Sequence, residues 1–301
     1  MLPLHVAAGV KSLQVVVASN SIAGTGGSAD STHPDFGLAV FVDGVYSTRL
    51  QPAADGVGTV LNLALDGAAH DIDLVQGWRA FRDTGTYLVS YDSLAASPRA
   101  VAAPARRLAF YGDSILSGAY AYPGGSHSAV EIVRAGYPGR VACETWGGRA
   151  LYNDANGPAP GLGSISALAA RLVALVQLGG ATTTRELWVQ IGVNDWLVPY
   201  STAAAFGTSL AALFDAVHAL DPTIRIWACQ PAMLSVGQEA TNNANGEKIS
   251  AFRTQYTTAG SGRAWVTVVA AMTVALDPDG IHPSDAGQQD MGAQIKVVIG
   301  V

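Results

Sequence analysis

A serine hydroxyl becomes a useful nucleophile only when a base removes its proton, and that base works best when a third group fixes its tautomer. The sequence holds a candidate for each role, far apart in the chain. Ser114 follows the apolar run Leu108-Ala109-Phe110-Tyr111, then Gly112-Asp113. His282 and Asp279 stand three apart in "DPDGIHPSDAG". His282 could accept the Ser114 proton, and Asp279 could accept the other ring N–H and stabilise the imidazolium. Attack on an ester also creates an oxyanion, which needs preorganised donors. The backbone N–H of Ser114, a glycine N–H from Trp146-Gly147-Gly148 and the side-chain amide of Asn194 would supply them. Glycine suits a place where substrate must approach the backbone closely. Trp146 and Trp196 flank these donors and could form a platform for a sugar ring or a wall for an acyl group. With Asp113 and Gly147 they make up the candidate substrate contacts.

The elements that must position these residues change character along the chain. Residues 1–95 read as strands and turns. "LQVVVAS", "FGLAVFVDGVY", "GTVLNLAL" and "AHDIDLVQGW" are short and β-branched, and Asp-Gly pairs punctuate them. That pattern predicts a smaller N-terminal β-sandwich, jelly-roll-like. Residues 96–106 lie in an Ala/Pro-rich stretch and read as a linker. From 107 to 301, apolar strands alternate with helical stretches. "RLAFYG", "RVACETWGG", "ELWVQIG", "IRIWACQP" and "WVTVVAA" are the strands. "ISALAARLVALVQLG", "STAAAFGTSLAALFDAVHAL", "NGEKISAFRTQYTTAG" and a closing stretch from Ser284 are the helices. Such alternation predicts an α/β domain with a mostly parallel sheet covered on both faces. Ligands of such sheets sit beyond the carboxyl ends of the strands, where Ser114, Gly147-Gly148 and Asn194 fall.

Each of these residues has a plainer reading. Ser114 between a strand and a helix could be an N-cap, Asn194-Asp195 an Asx turn, and Asp279-Gly280 an ordinary turn. Taken together, in this order and at successive strand ends, they read as one site. His127 reads as a loop histidine and His70 as structural.

Composition bounds the rest. The chain has 301 residues, 49% of them hydrophobic, which is enough for more than one core. Charged residues make up 13%, the net charge is −6, and the 17 Lys and Arg are thinly spread, which argues against a nucleic-acid partner. The two cysteines, Cys143 and Cys229, read as buried free thiols, since no Cys-x-x-Cys or His-rich ligand set accompanies them. No metal or other cofactor is expected. No apolar run reaches the roughly 18 residues that span a bilayer. The N-terminus makes a poor signal peptide, although a leader could have been removed; compartment and oligomeric state stay open.

The blocks "YGDSILSG", "ETWGGRAL", "QIGVNDW" and "DGIHPS" resemble those of the SGNH/GDSL hydrolases, over about residues 106–301. The resemblance implies an SGNH-type three-layer α/β/α domain and no cofactor. It implies Ser114 as nucleophile, His282 as base and Asp279 as orienting acid. Gly148, with Gly147 as the alternative register, and Asn194 become oxyanion donors beside the Ser114 amide. Ile115 stands where the first block usually has leucine. A β-sandwich ahead of such a domain is similar to the arrangement of family-2 carbohydrate esterases. The expected activity is therefore hydrolysis of short-chain acyl esters, acetyl in particular, on a small-molecule or carbohydrate alcohol. The alternatives are a carbohydrate-binding protein on a hydrolase-like scaffold and a general carboxylesterase or lipase.

Overall fold

The computed structural model describes residues 2–20, 38–43, 45–50, 59–76, 86–91, 96–98, 105–118, 128–145, 147–152, 164–177, 184–197 and 201–301. The chain divides into two compact units, Met1–Ala102 with Pro123–Ser126, and Ala103–Tyr122 with His127–Val301.

In the first unit the described strands are β1 (Leu2–Val6), β2 (Ser12–Asn20), β3 (Leu38–Val42), β4 (Val45–Leu50), β5 (Thr59–Ala64), β6 (His70–Gln76), β7 (Thr86–Tyr91) and β8 (Ala96–Pro98). They form two antiparallel sheets, one ordered β4-β3-β6-β1-β8 and the other β5-β2-β7. Alternation works as it should for half-buried strands: Leu4 and Val6 are buried while His5 between them is exposed, and Leu13 and Val15 are buried around exposed Gln14. The buried cluster takes Leu4, Val6, Val40, Ile72 and Leu74 from the first sheet and Leu13, Val15 and Leu63 from the second. His70 is held between two turn carboxylates, Nδ1 to Asp43 and Nε2 to Asp66, both at 2.8 Å. Those hydrogen bonds raise its pKa. The stretch expected to be a linker contributes β8, which pairs with β1 at Val6↔Ala96. Three residues suffice for an edge strand, and an edge tolerates the missing N–H of Pro98.

The second unit follows the expected alternation. Its strands are β9 (Arg106–Gly112), β10 (Arg140–Thr145), β11 (Thr184–Gln190), β12 (Ile224–Cys229) and β13 (Val266–Val269). All pair in parallel, in the order β10-β9-β11-β12-β13. The helices are α1 (Ser114–Ser117), α2 (Ala129–Gly136), α3 (Ile165–Gln177), α4 (Val193–Leu197), α5 (Ala203–Leu220), α6 (Val236–Ala240), α7 (Ile249–Gly260) and α8 (Asp285–Ile299). The strand order reverses once, between the step from β9 to β10 and the step from β10 to β11. Right-handed crossovers then send α2 to one face and α3, α5 and α7 to the other. The packing agrees: α2 lies against α8, α3 against α5, and α5 against α7. This is a central parallel sheet with helices, consistent with α/β/α layering.

Helix α5 qualifies the expectation that no apolar run is long enough to span a bilayer, because by length and composition it is. It buries Phe206, Leu210, Leu213, Phe214 and Val217 in the core of the second unit. Phe206 meets Phe252 and Tyr256 of α7 at ring-centroid distances of 5.5 and 6.0 Å. The Tyr256 hydroxyl in turn donates to the Ile191 carbonyl at 2.7 Å and accepts from the Ile191 N–H at 2.9 Å. This cluster therefore holds the end of β11 just ahead of Asn194. Phe206→Ala is expected to destabilise the second unit by about 3–5 kcal/mol, the usual cost of emptying a buried phenylalanine site, as read by denaturant unfolding monitored with tryptophan fluorescence.

Candidate active site

The switch in strand order creates the site. In a sheet ordered this way, ligands lie at the carboxyl ends of the strands where the order reverses, which here means around β9. Gly112, the last residue of β9, is paired with Thr145 on β10 and Gln190 on β11. Ser114, Gly148 and Asn194 follow those ends by two to four residues, so all three lie at one edge of the sheet. Gly112 is required by space: a Cβ there would sit 2.6 Å from the Gln190 carbonyl oxygen and 2.6 Å from Leu116.

The sequence places Asp113 among the candidate substrate contacts, and the structure corrects this by burying it. It is 2% exposed, and its carboxylate accepts the Ile115 N–H at 3.0 Å as the N-cap of α1. Because Asp113 takes the capping role, the Ser114 hydroxyl is released from it. Burial, and secondarily the charge of Asp195, push the Asp113 carboxyl up to about 7.

Ser114 opens α1, so its amide is among the first-turn N–H groups that lack an intrahelical acceptor. Its Oγ is 2.8 Å from Nε2 of His282, 168 residues away. Nδ1 of His282 is 2.6 Å from Oδ2 of Asp279. The other oxygen of Asp279 accepts the backbone N–H groups of Ile281 and His282 at 2.9 and 3.0 Å. Burial pushes the Asp279 carboxyl up, but the His282 ring and these two amides outweigh it and hold it below its ordinary value. Asp279 is thus kept ionised beside the imidazole. The turn needs Gly280, where φ is +71° and a Cβ would come 2.4 Å from Ser235 Oγ. Two more contacts seat this loop: the Ser235 N–H donates to the Gly280 carbonyl, and Asp277 N–H to the His282 carbonyl.

The second and third blocks meet through one hydrogen bond, from Asn194 Nδ2 to the Arg149 carbonyl at 3.0 Å. Gly148, just before Arg149, has φ +72° and is exposed. Gly147 is partly buried. Trp146 lies outside the described residues. Trp196 corrects its expectation: it is 1% exposed, and its ring N–H donates to the Glu247 carbonyl at 3.0 Å. It packs in the core and has no face for a sugar.

Three side chains escaped the sequence reading. Arg149 is buried over the Tyr111 ring, 4.8 Å from its centroid, and donates to the Glu144 carbonyl at 2.7 Å. Gln288 is fully buried on α8, donating to the Ile115 carbonyl at 2.8 Å and accepting the Ala129 N–H at 2.9 Å. It ties the helix after His282 to the turn that bears Ser114. Asp195 accepts two N–H groups from the glycine segment. A buried Gln and Arg carry no distinctive spacing. Asp195 stood in a quoted block, but its type alone is equally compatible with a local turn.

Among the described residues no group of three or more His, Cys, Asp or Glu is disposed to hold a metal ion. Cys143 and Cys229 are free thiols, and burial pushes Cys143 up to about 11.

An imidazole between a serine hydroxyl and an ionised carboxylate, at the rim of a parallel sheet, defines a hydrolase-type site chemically: it can withdraw a proton from the hydroxyl and return it to a leaving group. The family follows. Residues 110–289 match the GDSL-like lipase/acylhydrolase family, and the chain belongs to it. It is a carboxylic ester hydrolase of that family. Among curated proteins none matches the sequence. Among solved structures the chain is similar to a salicylyl-acyltransferase from a tetracycline biosynthetic pathway, at 12% identity and TM-score 0.71, covering 99% of this chain and 82% of that one. It is also similar to a family two carbohydrate esterase from Clostridium thermocellum in complex with cellohexaose, at 18% identity and TM-score 0.67, covering 99% and 91%. A third is an acetyl xylan esterase from the rumen bacterium Butyrivibrio proteoclasticus, at 12% identity and TM-score 0.61, covering 99% and 89%. At these identities the likeness is one of fold.

The raised pKa of Asp113 gives a signed prediction. Its folded value of about 7 lies above the ordinary carboxyl value of 3.8. Between those values the folded state binds more protons than the unfolded one, so stability from this group is full below about pH 4 and is lost as pH rises through 7. Asp113→Asn, which keeps an oxygen for the Ile115 N–H, should flatten that slope. Thermal midpoints of both proteins from pH 4 to 8 check it: they should diverge upward in pH, with the variant the more stable at pH 8.

Proposed function

We propose that the protein is a serine esterase that removes short-chain acyl groups, acetyl above all, from carbohydrate alcohols through an acyl-enzyme on Ser114. The observation that carries the reading is the continuous chain of hydrogen bonds from Ser114 Oγ through His282 to Asp279. In this mechanism His282 takes the hydroxyl proton as Ser114 attacks the ester carbonyl, then gives it to the departing alcohol. A water, deprotonated by the same imidazole, then releases the acid from Ser114. Asp279 orients the ring and stabilises its charged form. The amides of Ser114 and Gly148 and the side chain of Asn194 receive the oxyanion. The positive φ and exposure of Gly148 support it over Gly147.

The substrate class is supported by two of the similar structures, a carbohydrate esterase in complex with cellohexaose and an acetyl xylan esterase. We read the two N-terminal antiparallel sheets as layers of a β-sandwich domain, a reading supported by the cluster that draws on both sheets. The domain boundary then falls near residue 100, with the hydrolase domain from about 107 to the end.

Ser114→Ala should retain the fold and lose on the order of 10⁴- to 10⁶-fold in turnover of p-nitrophenyl acetate, and a serine-directed phosphonate should label wild type at Ser114 by mass spectrometry. Activity of the variant within tenfold of wild type would exclude Ser114 as the nucleophile. Protein that is inert to esters and unlabelled would leave the carbohydrate-binding alternative. In a p-nitrophenyl ester series from two to sixteen carbons, the rate should be highest at two to four; a maximum at ten or more would favour a lipase. Acetate release from acetylated xylo-oligosaccharides tests the alcohol, and its absence beside good activity on simple esters would leave a general carboxylesterase.

A further inference from the structure

We propose that Asp195 is a positioning residue that fixes the two oxyanion donors, the Gly148 amide and the Asn194 side chain, relative to each other; the proposal rests on the esterase reading above. Asp195 is fully buried. Its Oδ2 accepts the Leu151 N–H at 2.9 Å and its Oδ1 the Tyr152 N–H at 2.8 Å. Its neighbour Asn194 donates to the Arg149 carbonyl at 3.0 Å. Two consecutive residues of α4 thus hold three backbone groups in the five-residue stretch that begins at Gly148. On its other side the stretch is anchored by the Arg149 guanidinium, which reaches the Glu144 carbonyl and carboxylate at 2.7 and 3.2 Å.

The choice of a carboxylate is informative. Burying one is costly unless its oxygens are hydrogen-bonded. Here Asp113 is also buried nearby, and the Asp195 charge is among the causes of its raised pKa. A neutral side chain of the same length has one carbonyl oxygen, whereas a carboxylate offers two to two successive amides. The two-pronged grip removes both sliding and tilting of the segment. Oxyanion donors must lie about 2.7–3.1 Å from an atom that becomes charged only in the transition state, and a misplacement of about 1 Å can cost 10²-fold. Asp195 has no need to touch substrate to act this way. It works through the segment carrying Gly148 and through the side chain next to it.

The experiment measures kcat and KM for p-nitrophenyl acetate in Asp195→Ala, Asp195→Asn and Asn194→Ala proteins and in the Asn194→Ala/Asp195→Ala double variant, with hydrogen exchange of the Leu151 and Tyr152 amides. The expected result is a fall in kcat of roughly 10²-fold for Asp195→Ala with KM within about threefold. Asp195→Asn, which keeps one acceptor, should fall between it and wild type. The double variant should lose at least about tenfold less than the product of the single losses, because both residues act on the same donors. Exchange at Leu151 and Tyr152 should rise while Leu187–Val189 in β11 stay protected. If Asp195→Ala does not fold, Asp195→Asn and its double with Asn194→Ala decide in its place. A folded Asp195 variant with kcat within twofold of wild type, losses that multiply in full, or unchanged exchange would overturn the proposal alone. Wild type that neither hydrolyses the ester nor takes up the phosphonate would overturn the esterase reading and this proposal with it.

Discussion

The 2.8 Å contact between Ser114 and His282 joins the first strand of the sheet to the loop after the last. These begin well apart, since β9 lies inside the sheet and β13 at its edge, with β11 and β12 between them. The chain after β13 must therefore travel back along the carboxyl ends of the strands. Hydrogen bonds support that path: Gln230 N–H to the Val269 carbonyl, Met233 N–H to the Met272 carbonyl, and Ser235 N–H to the Gly280 carbonyl. The loop closes on itself through the Leu276–Pro283 bridge and the bond from Ser284 N–H to the Ala275 carbonyl. Beyond it α8 starts with a capped turn, Ser284 accepting the Gly287 N–H. It runs against α2, where Gln288 bonds backbone groups of Ile115 and Ala129. The serine–histidine distance thus rests on the packing of α2 against α8, on the buried Gln288 amide and on the hydrogen bonds that seat the loop.

The two ends of the parallel sheet handle polar groups differently. At the amino end, Glu186 is 2% exposed and accepts from Arg106, the Tyr137 hydroxyl and the Trp227 ring N–H. Every prong of that network ends on a protein partner, the condition under which a buried charge is tolerated. At the carboxyl end, the His282 side chain remains 14% exposed and that of Asp279 39%. Gly148 is open, with nothing within 4 Å of where a Cβ would stand. The Glu186 network at the amino end holds strands together, whereas the carboxyl end leaves groups accessible to a ligand. Arg253 belongs to the supporting side: it donates to the carbonyls of Pro231 and Ala232 and pairs with Glu239. It thereby steadies the segment beneath the Asp279 turn.

The sequence by itself determined the α/β alternation of the second unit and the identities of the residues at its strand ends. Continuous apolar runs such as Leu187-Trp188-Val189 can be buried only between two covering layers, and Ser284 marks a helix start by its side chain alone. Asp279 and His282 are near in sequence, so their pairing was legible from spacing. The first unit was less legible. Its short strands showed in their alternation, but Ala96–Pro98 has too few residues to display a period and gains its identity only from pairing with Leu4–Val6. Tertiary structure decided the rest, because those facts depend on distances between segments that no local pattern encodes. It turned Trp196 inward to a carbonyl 51 residues away. It made Asp113 the cap and left Ser114 free for His282. It also gave Asp195 two amides of a segment more than 40 residues back along the chain. A side chain's type states what it can bond to, and only the packed fold states which partner is within 3 Å.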